Sequence, residues 1–155
     1  MFIKKEFEII DEHSDMGDFI GGISDDLIYA AEKTLNVKFP ISYRLFLRRY
    51  GVGDILGEEI FGLGIEESGV PSMVWITKHF RQEKTLPDHL ICIYFAGYDN
   101  MYYCLDCSNV KNENDDSATV VSYFNGLPIE DQNFEIEFPS FGEFLLRTLE
   151  DSLED

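Results

Sequence analysis

Apolar positions in residues 23–53 fall with a helical period. Ile28, Ala31 and Leu35 recur at i, i+3 and i+7, one face of a helix. Ser24 stands where its hydroxyl would accept a free backbone N–H, and Asp25 and Asp26 follow where the helix dipole favours negative charge. Ile23 and Ile28 have the spacing of a hydrophobic staple. Val37 and Phe39 then alternate, and Pro40 forces its predecessor into an extended conformation while suiting the start of a second helix. In that helix Tyr43, Phe46, Leu47 and Tyr50 form one continuous apolar face. Arg48 and Arg49 occupy the last turn, and Gly51 is suited to the residue after it.

The same pattern predicts the elements on either side. Ile3, Phe7 and Ile10 mark a short amphipathic helix over residues 3–13, followed by a glycine-containing loop to residue 22. Gly51, Gly53, Gly57, Gly62 and Gly64 punctuate two short apolar runs, which reads as a hairpin with Glu58 and Glu59 in its turn. A helix carrying Val74, Trp75 and Phe80 is expected over residues 71–84. Residues 90–96, LICIYFA, form an unbroken apolar run that suits a strand buried on both faces. Residues 97–100 make a turn, and residues 101–106 alternate as a second strand. A polar loop spans residues 109–117. A β-rich run covers residues 118–124 and ends at the Asn125-Gly126 turn signal. Residues 134–138 suit a short edge strand. Ser140 and Glu143 form a capping box ahead of a helix whose inner face is Phe141, Phe144, Leu145, Thr148 and Leu149. The acidic tail EDSLED places negative charge at that helix's C-terminus and is expected to fray. These elements define an α+β fold, with a mixed or antiparallel sheet of about five or six strands and about four helices around it.

At 155 residues the chain is expected to form a single domain, residues 1–155. Its 45% apolar content and thirteen phenylalanines exclude a disordered acidic tail. Twelve basic residues against thirty acidic ones give a net charge of −18, which repels nucleic acid and anionic membranes and favours a cationic partner. A small domain needs a net charge of only roughly 2–8 for solubility. The acids cluster at Glu58-Glu59, Glu66-Glu67, Asp115-Asp116, Glu130-Asp131 and the C-terminus. No run is long and apolar enough for a membrane span, and Glu6 and Glu8 interrupt any leader-like stretch, so a cytoplasmic protein is expected. Three cysteines fit a reducing compartment, and a monomer or weak dimer without a cofactor is expected.

Candidate chemistry is sparse. Cys104-x-x-Cys107 has the spacing of half a zinc site, but no second paired motif completes it, and it closes a strand instead of opening a helix as redox motifs do. Asn112, Asn114 and Asp116 imitate a calcium loop, yet Ser117 stands where glycine is needed and Tyr123 where a bidentate glutamate is needed. The glycines after Tyr50 follow a helix and do not spell a nucleotide-binding loop. Asp99 and Asp106 could face each other at one sheet edge as a carboxylate pair, although turn and strand-end roles account for both.

Taken in order, Glu32, Leu35, Val37, Phe39-Pro40, Tyr43, Phe46-Leu47 and Gly51 resemble the SUKH superfamily, which includes yeast cell-wall regulators of the Smi/Knr type and many bacterial immunity proteins. The second half extends the likeness with Gly97-Tyr98-Asp99, Leu105-Asp106, Val120-Val121 and Ser140-Phe141-Gly142-Glu143-Phe144-Leu145, so that it is clearest over residues 23–149. Tyr50-Gly51 departs from the Asn-Gly of many members. The resemblance implies a non-catalytic immunity protein that blocks a cognate toxin stoichiometrically. A basic nuclease would match the acidic charge. A regulatory scaffold like the yeast members is the alternative. The expected contacts are Glu58, Glu59, Glu66 and Glu67, with Asp99 and Asp106 near the site.

Overall fold

The computed structural model describes residues 3–154; Met1, Phe2 and Asp155, the last residue of the acidic tail, lie outside the described residues. The elements are α1 (Lys4–Glu12), β1 (Gly17–Phe19), α2 (Asp25–Leu35), α3 (Ile41–Tyr50), β2 (Gly53–Ile55), β3 (Glu58–Ile60), α4 (Met73–Gln82), β4 (Leu90–Phe95), β5 (Met101–Asp106), β6 (Val120–Phe124), β7 (Ile136–Phe138) and α5 (Phe141–Glu154). The fold is α+β, as the pattern predicts.

The α2–α3 pair forms for the reasons legible in its sequence. Ser24 Oγ accepts the Leu27 N–H at 3.4 Å, and Asn36 ends α2 in the left-handed conformation at φ 56°. Glu32 then joins the two helices from inside. Its Oε2 accepts the Phe39 amide at 2.8 Å and the Arg44 Nη2 at 2.5 Å, all three residues being buried. Pro40 offers no side-chain cap to α3. Asp116 supplies one from 74 residues away, where its Oδ1 accepts both the Ser42 amide at 2.9 Å and the Ser42 hydroxyl at 2.7 Å. The Asp115 carbonyl takes the Ile41 amide at 3.0 Å. The Asp116 carboxylate is therefore structural, since it satisfies a donor that the first turn of a helix leaves free, while the Asp115 carboxylate accepts the Lys111 and Ser117 amides within its own loop.

The strands divide into two antiparallel sheets, β1-β2-β3 and β4-β5-β6-β7, where the pattern suggested one. Strand β1 lies in the stretch expected to be loop, because three residues show too little periodicity to register. The β2–β3 turn is made by Leu56 and Gly57, both at positive φ (53° and 82°), which moves Glu58 and Glu59 out of the turn and into β3. A register shift between Cys92 and Tyr94 joins the sheets. It releases the Ile93 carbonyl from β5, and this carbonyl accepts the Phe61 amide of the other sheet at 2.9 Å. The neighbouring Cys92 amide is taken by Thr77 Oγ1 at 3.0 Å, so the bulge leaves neither group unpaired.

Helix α5 closes the core. Ser140 Oγ accepts the Glu143 amide at 3.1 Å, and Phe141 packs against Phe46 with ring centroids 5.5 Å apart. Phe46 and Phe144 are fully buried. The helix runs through the acidic tail to Glu154, beyond the point where fraying was expected. Leu149 is buried on it, and Ser152 Oγ reaches Glu58 Oε1 at 3.2 Å.

Candidate partner-binding face

Strand alternation sorts the small sheet into two faces. Phe19, Ile55 and Ile60 point inward, and Phe19 packs on Phe46 and Tyr50. The residues between them point outward, and the register places Asp18 opposite Asp54 and Asp54 opposite Glu59. Three carboxylates therefore lie side by side across three strands, on backbones only about 4.5–5.5 Å apart. Like charges directly opposed destabilise a sheet. Among the described residues, none of the three forms an ion pair.

Glu59 also borders a groove of about 440 Å³ between the two sheets, whose lining includes Glu58, Phe61, Val70, Phe95 and Tyr102. Glu58 points the opposite way from Glu59. The Tyr94 hydroxyl donates to its Oε2, and the Ser152 hydroxyl donates to its Oε1. Burial and this bond to Glu58 hold the Tyr94 phenol well above its ordinary pKa. Phe95 and Val70 are 43% and 50% exposed, which leaves apolar walls open to solvent beside the carboxylates. Tyr98, at the adjoining β4–β5 turn, is 59% exposed.

The other expected contacts are scattered. Glu66 and Glu67 lie on the exposed segment before α4, with the Glu67 carboxylate 3.8 Å from Lys78 Nζ. Asp99 sits in the β4–β5 turn at φ 55°. Asp106 lies at the far end of β5, opposite Leu90, where its Oδ1 accepts the Ser108 amide at 3.0 Å and hydroxyl at 2.6 Å. The two aspartates therefore do not face each other, because the length of β5 separates them. Asp18, Asp54, Phe95 and Val70 were not foreseen as members of the face. The one sequence signal was the shared polar middle position of Gly-Asp-Phe, Gly-Asp-Ile and Glu-Glu-Ile.

A second open groove, of about 660 Å³, mixes Lys33 and Lys38 with Glu32 and Asp88 and so presents no consistent charge. The cysteines are all free and buried, with Cys92 and Cys104 opposite each other on β4 and β5. Burial pushes the Cys104 and Cys107 thiols above their ordinary pKa, which disfavours the thiolate needed for a metal ligand or nucleophile. No described helix is long and apolar enough to cross a membrane.

The outward face of the small sheet and the groove beside it thus bring carboxylates without ion-pair partners, among the described residues, next to exposed rings. The family model SUKH_5, described as SMI1-KNR4 cell-wall, matches residues 5–150. The chain belongs to the SUKH family, as its helix-pair and sheet motifs suggest. At the level of the family, its role is that of an immunity or Smi/Knr-like protein, a group that is generally non-catalytic.

Proposed function

We propose that this protein is an immunity protein that binds a cognate toxin, a basic nuclease, in the cytoplasm and blocks it by occupancy. The observation that carries this function is the unpaired ladder of Asp18, Asp54 and Glu59. A fold free to choose would alternate signs there or place a lysine, since opposed like charges cost stability. A row of carboxylates at strand spacing instead offers a nuclease a substitute for the phosphates its basic surface is built to hold. The net charge of −18 adds long-range attraction that speeds encounter with a basic partner.

The test is co-expression with the toxin encoded beside this gene. The toxin alone should stop growth, and this chain should restore it in proportion to a one-to-one complex. Asp54→Lys should weaken rescue by slowing association more than it speeds dissociation. Inactivation of excess toxin by traces of this chain would refute blocking by occupancy, and a neighbouring gene without toxic activity would refute the immunity role.

A further inference from the structure

We propose that the groove between the two sheets is a receptor for one arginine side chain of the partner protein, stacked on the Phe95–Tyr102 wall with its guanidinium turned to Glu59. The proposal rests on the immunity function only for the identity of the protein that carries the arginine.

The wall is built by cross-strand pairing. Phe95 of β4 lies opposite Tyr102 of β5 with ring centroids 5.0 Å apart, and Phe61 continues the surface at 6.5 Å from Tyr102. Val70 faces the groove from the segment before α4. Aromatic faces attract cations, more strongly when water is partly excluded. The anionic end is Glu59. Glu59 shares its strand face with Phe61, two residues on, so its carboxylate stands on the same side as the aromatic wall, whereas Glu58 turns away to Tyr94 and Ser152. Glu59 is exposed and unpaired at the mouth and continues into the Asp18–Asp54 row. A planar, weakly hydrated fork that stacks on rings and bonds carboxylates is arginine, whereas lysine offers a compact, strongly hydrated charge. An apolar side chain would leave Glu59 without a partner.

The experiment is a titration of the full-length chain followed by NMR, using N-acetyl-arginine-methylamide as the probe, with its citrulline and lysine counterparts and a leucine control. Saturable shifts are expected at Val70, Phe95, Tyr102 and Glu59, with the neutral citrulline at least about tenfold weaker. Phe95→Ala and Glu59→Gln should each weaken arginine binding about tenfold, while circular dichroism shows both variants folded, since both side chains are exposed. The absence of saturable shifts, shifts centred elsewhere, citrulline or leucine binding as well as arginine, or indifference to Phe95→Ala would each overturn the proposal. Arginine binding as described without rescue from the toxin would remove the immunity function and leave the groove. Rescue with a groove indifferent to arginine would do the reverse.

Discussion

Removing Glu32 should strand a buried cation. Arg44 is 2% exposed, and Glu32 is its ion-pair partner among the described residues. Two further nitrogens of Arg44, Nε and Nη1, already lack hydrogen-bond partners, and the guanidinium lies 5.3 Å from the centroid of the Tyr29 ring. Glu32→Ala therefore leaves an uncompensated charge, a loss of about 3–5 kcal/mol. The same substitution frees the buried Phe39 amide, a further ~1–3 kcal/mol that overlaps the first loss because both groups share Oε2. A total of roughly 4–5 kcal/mol is a large part of the ~5–15 kcal/mol that holds a domain folded. With a slope of about 2 kcal/mol/M, the urea midpoint should fall by about 2 M with the slope unchanged. The double variant Glu32→Met/Arg44→Met should recover much of the loss, since it removes both charges and replaces the arginine with an apolar side chain. A loss below about 1 kcal/mol for Glu32→Ala, or a double variant no more stable than the single, would refute the clamp.

Phe46→Ala should cost roughly 3–5 kcal/mol in the same urea assay, because the ring is fully buried among Phe19, Tyr43 and Phe141. Asp54→Asn should stabilise the free protein. Two carboxylates about 6 Å away repel Asp54 by about 0.7 kcal/mol each in water, and screening roughly halves this, so calorimetry should show a gain of about 2 °C that disappears in high salt. The same substitution should slow association with the toxin, and an association rate indifferent to salt would leave the acidity as a solubility feature. Burial, aided by Glu143 and Glu150, raises the pKa of Glu6 above its ordinary 4.5. Its contribution to stability is intact below that value and is lost as pH rises through the folded-state pKa, so Glu6→Gln should raise the urea midpoint at neutral pH and not below pH 4.5.

The helix pair, the capping serines and the two long strands were legible because each depends on neighbours within a turn or on simple alternation. Ser24, Ser140 and the LICIYF run all occupy the positions their local chemistry dictates. The acidic ladder was not legible in the same way. Asp18 and Asp54 are far apart in the chain and become neighbours only through register, which no local pattern reports. The same holds for Asp116, which looked like a partner-facing acid until the fold set its carboxylate against the amide and hydroxyl of Ser42. Glu58 and Glu59 were expected to act together as a turn; one residue of strand alternation sends them to opposite faces, and the two-residue turn that shifts them depends on Leu56 accepting a left-handed conformation.

The cap that Asp116 places on α3 orders events during synthesis. The ribosome releases Ile41 and Ser42 long before Asp115 and Asp116, which follow 74 residues later. A nascent chain that ends at Asp106 already carries Asp18, Asp54, Glu59 and the Phe95–Tyr102 wall, yet the first turn of α3 still has open donors and the helix frays at that end. The helix that backs the small sheet is thus completed from the distal part of the chain. The first turn of α3 is therefore satisfied only once Asp116 has been made, and a mutation at Asp116 would loosen that turn without touching the acidic face itself.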